Sequence, residues 1–126
     1  MVNMLLICEC RNTYYKTKLD EQLVGVQNYK ITHAVDSIEE AIAISPDIEV
    51  ELVLLERDFL MNSDSELIQR LKDKYASATV VALYLTCDVD FINKMVKEKI
   101  RYPMDIGITA EETQKALDTA YFKTSE

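Results

Sequence analysis

The sequence predicts an α/β fold: a five-stranded parallel sheet with helices on both faces. Three observations predict it. Apolar runs of strand length alternate with helix-patterned segments along all 126 residues. The strongest runs are apolar throughout, as strands covered on both faces must be. Helix start signals recur in the stretches between them. Five such alternations, joined by right-handed crossovers, give one parallel sheet.

The strands are expected at Met4 to Cys8, Lys30 to Val35, Leu52 to Leu55, Thr79 to Leu85 and about Met104 to Ile106. The first, third and fourth are continuous apolar runs, and the other two are weaker. A first helix from about Thr17 to Asn28 would bury Leu19, Leu23 and Val26. Ser37 to Glu40, Ser63 to Glu66 and Thr109 to Glu112 have the spacing of a capping box, in which a hydroxyl accepts from the third following amide. After each box, apolar residues return at helical spacing. A further helix from about Val89 to Ile100 would bury Ile92, Met95, Val96 and Ile100.

The length suits a single domain spanning residues 1–126. No apolar run approaches the ~20 residues needed to cross a bilayer, so no membrane partner is expected. The run from Met1 to Cys8 has neither a basic leader nor a small-residue cleavage site, and it reads as a strand. A net charge of −8 argues against direct nucleic-acid binding, which requires clustered Lys and Arg. Three cysteines without a secretory pattern point to reduced thiols in a cytoplasm.

In open parallel sheets, sites form beyond the carboxyl ends of the strands. Those ends carry Cys8-Glu9-Cys10, Glu56-Arg57-Asp58 and Thr86-Cys87. Met4-Leu5-Leu6-Ile7-Cys8-Glu9 resembles the first strand of CheY-like response-regulator receiver domains, which ends in paired acidic residues. Glu51-Leu52-Val53-Leu54-Leu55-Glu56 is similar to their third strand, which ends in the phospho-accepting aspartate. Val81-Ala82-Leu83-Tyr84-Leu85-Thr86 is similar to their fourth, whose final hydroxyl contacts the phosphoryl group. The spacing from Glu56 to Thr86 matches without a gap. The resemblance implies a flavodoxin-like three-layer sandwich with strand order 2-1-3-4-5.

The pattern also departs from that family. Cys8 stands where the first acid is expected, with Glu9 keeping the second, and Glu56 stands at the acceptor position. The family's lysine should fall near Asp105 to Ile108, where Ile106 and its neighbours include none. Phosphoryl transfer depends on positioning and on compensating charge. A longer carboxylate, one acid fewer and no lysine together imply a degenerate receiver, or pseudo-receiver, that is not an enzyme.

Glu9, Glu56 and Asp58 have two readings: a residual magnesium site, or an inherited acidic rim, with the rim favoured. No cofactor is required on either. Alternatives are a phosphorelay receiver using Asp58 as acceptor with magnesium, and a flavodoxin-like small-molecule enzyme. The turn from Cys8 to Thr13 has no glycine, which disfavours the enzyme. The three cysteines could form a thiol sensor but read better as small hydrophobes.

In receivers the fourth helix, fifth strand and fifth helix form the usual partner-binding face. Here that face would draw on Phe91, Lys94, Arg101, Tyr102, Tyr121 and Phe122, contacting a protein partner or a second copy.

Overall fold

A computed structural model of the chain describes residues 2–8, 13–44 and 49–122. Among these residues five strands are present: β1 (Val2–Ile7), β2 (Tyr29–Val35), β3 (Leu52–Glu56), β4 (Thr79–Tyr84) and β5 (Tyr102–Asp105). All adjacent pairs are parallel, and the order is β2-β1-β3-β4-β5, as the resemblance implied.

The helices are α1 (Thr13–Leu23), α2 (Ile38–Ala43), α3 (Arg57–Asn62), α4 (Ser65–Lys74), α5 (Val89–Lys97) and α6 (Ala110–Phe122). The pleat divides the strand side chains between two cores. Leu5, Ile7, Val53, Leu55 and Ala82 join Ile38, Ile68, Leu71 and Phe91 on one face of the sheet. Met4, Leu6, Leu52, Leu54 and Leu83 join Leu19, Leu117 and Ala120 on the other. The continuous apolar runs within β1, β3 and β4 thus serve both faces at once.

Two expected caps form as read: Ser37 Oγ accepts from the Glu40 amide at 3.0 Å, and Thr109 Oγ1 from that of Glu112 at 3.1 Å. The third is displaced by one residue. Asp64 caps α4 by accepting from the Leu67 amide at 2.8 Å, which frees the Ser63 carbonyl for another contact. The first helix begins earlier than expected and stops at Leu23, before Gly25 and Asn28 take φ of +89° and +76°. These left-handed turns cannot continue a helix. Val26 is therefore loop.

A short helix, α3, follows β3 directly and was absent from the expected alternation. Six residues without a hydroxyl cap give it no periodic signal. At the sheet's edge, Met4 pairs with Ile31 but Leu5 with His33, so β2 bulges at Thr32. Such a bulge interrupts an edge that would otherwise be open to strand addition.

Candidate site at the carboxyl edge of the sheet

Cys8 follows β1 and is buried, and Glu56 ends β3 at only 2% exposure. Ile106 follows β5, bonds its amide to the Tyr84 carbonyl at 2.9 Å and is buried. Cys8 and Ile106 share the core with Leu54 and Leu83. Alternation along β3, from Leu54 to Glu56, points the Glu56 side chain to that same face. The carboxyl edge therefore holds Glu56 on one face with a thiol and a sec-butyl group, where receivers place an acid and an ammonium. Glu9 lies outside the described residues, as does Cys10.

Thr86 lies two residues past the end of β4 and is exposed, as is Cys87. Asp58 does not join Glu56. Its carboxylate is 63% exposed and sits 3.7 Å from the Arg57 guanidinium. Arg57 reaches the other way to Asp88 at 2.9 Å and lies over the Phe91 ring, 5.7 Å from its centroid. The Phe91 amide first, and the Arg57 guanidinium second, hold the Asp88 carboxyl below the usual carboxylate range. Arg57 thereby ties the start of α3 to the cap of α5 across the mouth of the site.

The described residues assemble no magnesium ligand set. Hard cations take several converging oxygens. Here Cys8 supplies none, Asp58 faces outward beside a cation, and no group of three ligating side chains assembles among the described residues. Of the expected trio, Glu9 lies outside the described residues, while Glu56 is buried and Asp58 turns to solvent.

The expected partner face is also redrawn. Phe91 is fully buried, its ring 5.4 Å from that of Tyr84. Lys94 is held inward, its ammonium 3.0 Å from Glu98 Oε2 and 2.9 Å from the Ser63 carbonyl. Ser65 Oγ donates to Glu98 at 2.6 Å, and Lys72 Nζ to the Glu98 carbonyl at 2.9 Å. Burial would raise the Glu98 carboxyl, but the Ser65 hydroxyl and the Lys94 ammonium outweigh it and leave it lowered. Arg101 is exposed and Tyr102 half-buried on β5. Tyr121 and Phe122 instead flank a cavity with Val2 and Tyr29, toward the β2 edge of the sheet. Tyr121 meets the Tyr29 ring edge-on at 6.2 Å. The six residues named from sequence do not form one surface.

Of the apolar residues expected to be buried on and after α5, Met95 and Ile100 are. Ile92 and Val96, expected in the core, are 49% and 72% exposed, and Val89 is 70% exposed. The polar pair Lys94–Glu98 occupies the inner side instead, because Ser63 and Ser65 offer it partners there.

Gln22 was not singled out by the sequence. Its buried side-chain amide donates to the Asp105 carbonyl at 3.0 Å and accepts from the Gly107 amide at 2.8 Å. It clamps the turn that carries Ile106 to α1.

No family profile matches the chain, and none of the curated proteins searched matches it. Solved structures do. The signal receiver domain of an HD domain-containing protein from Pseudomonas fluorescens is 20% identical, with TM-score 0.72, covering 97% of this chain and 95% of that one. The receiver domain of a sensor histidine kinase from Pseudomonas aeruginosa, with magnesium in its active-site cleft, is 12% identical. Its TM-score is 0.74, covering 96% of this chain and 98% of that one. A pilus assembly-related protein from Burkholderia pseudomallei is 12% identical with TM-score 0.68, over 100% and 93% of the two chains. Strand order, helix placement and these likenesses agree: the chain has the fold of a signal receiver domain.

Proposed function

We propose that this chain is a receiver domain that signals through protein contacts without accepting phosphate. The observation that carries the reading is Ile106, a buried apolar side chain at the end of β5 on the face toward which Glu56 turns. In the resembling family a lysine there pairs with the phosphoryl oxygens. Without it, and with Cys8 in place of an acid, transfer to Glu56 would lack the compensation those two groups supply in the resembling family. The domain acts as a non-enzymatic interaction module, either with a protein partner or with a second copy, and it works in the cytoplasm.

The test is incubation with acetyl phosphate and magnesium, followed by intact mass measurement. No mass gain is expected. A phosphate adduct abolished by Glu56→Ala would overturn the proposal. One abolished by Asp58→Ala alone would establish the other reading, in which the outward carboxylate of Asp58 is the acceptor. Copurified flavin or nucleotide absorbance would point instead to a small-molecule enzyme on the same fold.

A further inference from the structure

We propose that a cavity at the amino edge of the sheet binds a small phosphomonoester, one phosphate group on a compact apolar body. The cavity lies where β4 and β5 begin, at the opposite end of the strands from Glu56 and Ile106, and holds about 280 Å³. Lys72 near the end of α4, Lys99 after α5 and Arg101 before β5 line it, and no Asp or Glu does. A chain with net charge −8 thus gathers three cations around one hollow.

Among the described residues, none of the three forms an ion pair. The neighbouring acids are engaged elsewhere: Glu98 accepts from Ser65 and Lys94, Asp73 from Gln69, and Glu51 from the Asn3 amide. Lys72 Nζ donates to the Glu98 carbonyl at 2.9 Å, which leaves two of its three donors. The carboxyl ends of α4 and α5 lie at the same edge, but about half an elementary charge each offsets only about one of the three cations. A phosphomonoester carries about −1.5 to −2 at neutral pH and matches the remainder. A carboxylate brings one charge and would offset only half of it. Arg101 adds the planar fork that suits phosphate oxygens.

The backbone supplies an independent observation. α5 closes with the Lys99 amide donating to the Val96 carbonyl at 3.2 Å and the Ile100 amide to that of Met95 at 2.9 Å, which puts Lys99 at φ of +58°. Glycine usually fills this left-handed position. A lysine there is strained, and its side chain lines the cavity. Ala78, Val80 and the half-buried Tyr102 form the apolar part of the wall, against which the body of the ligand packs. The volume falls just below the roughly 300–1,000 Å³ of drug-sized sites, so that body is compact. The inference does not depend on the reading of the carboxyl edge, and the two fail separately.

Two-dimensional amide NMR of the full chain, titrated with phenyl phosphate at low salt, tests it. Saturable shifts are expected at the amides of Val80, Ile100 and Tyr102, with Kd below about 1 mM. Inorganic phosphate should bind more weakly, and phenol should leave these amides unmoved. Lys99→Gly relieves the strained turn and should keep the fold, checked by far-UV circular dichroism, while weakening binding at least about tenfold through the lost charge-assisted hydrogen bond. Arg101→Ala, at an exposed position, should do the same. No saturable shift up to about 10 mM, or shifts confined to the carboxyl edge, would overturn the proposal. Undiminished binding in both variants would overturn it equally. Inorganic phosphate binding as tightly as phenyl phosphate would reduce the cavity to a general anion site and overturn the ligand class.

Discussion

Replacing Glu98 by glutamine tests what holds α5 in its orientation. The carboxylate accepts from Ser65 Oγ at 2.6 Å and from Lys94 Nζ at 3.0 Å, and it is almost fully buried. A hydrogen bond to a charged group contributes about 1.5–3 kcal/mol, and removing one partner of a buried pair costs about 3–5 kcal/mol. Here the larger figure is a ceiling. Lys94 keeps the Ser63 carbonyl at 2.9 Å, and glutamine keeps one acceptor. Glu98→Gln should therefore cost about 2–3 kcal/mol at pH 7, or roughly 8–12 °C in Tm at about 4 °C per kcal/mol for a domain of this size. Urea unfolding followed by circular dichroism measures it. The sign of the pH dependence follows from the lowered carboxyl. The unfolded chain protonates first, near the ordinary value of 4.5, so the wild-type advantage is complete above that pH. It shrinks as pH falls below 4.5 and through the depressed folded value. A loss under about 0.5 kcal/mol at pH 7, or a gap that does not narrow in acid, would refute the assignment of this network as the anchor of α5.

Three further outcomes are expected. Gln22→Ala orphans the Asp105 carbonyl and the Gly107 amide and should cost about 2 kcal/mol by urea unfolding, while a loss within about 0.5 kcal/mol would show that water replaces the clamp. Gly107→Ala meets no atom within 4 Å, yet φ of +94° strains any side chain, so about 1 kcal/mol should be lost through backbone conformation alone. Stability should also fall as pH rises past 10, because burial and the Asp118 carboxylate raise the Tyr29 hydroxyl, and the unfolded chain then loses its proton first. Tyr29→Phe should flatten that alkaline limb, and an unchanged limb would assign it to other groups.

The sheet was legible because β1, β3 and β4 are buried on both faces, and an apolar run of strand length has little else to become. The positions of Cys8, Glu56 and Ile106 were legible for a related reason: they end or directly follow β1, β3 and β5, and the pleat fixes their faces. Asp58 was misread as a companion of Glu56 because α3 was invisible. Once a helix begins at Arg57, the next residue no longer follows the strand's alternation and swings out to solvent.

The errors on α5 have one cause, and it is physical. Helical periodicity identifies an apolar stripe but not what the stripe faces, and a chain rule that sends Ile and Val inward and Lys and Glu outward is only a tendency. Here two apolar stripes compete: Phe91 and Met95 on one side, Val89, Ile92 and Val96 on the other. The tie is broken by residues far away in sequence, since the Ser63 carbonyl and the Ser65 hydroxyl make a polar recess that only Lys94 and Glu98 can fill. A buried charge stays only where it is paired and hydrogen-bonded, so the recess selects one rotation of the helix and leaves the β-branched stripe in water.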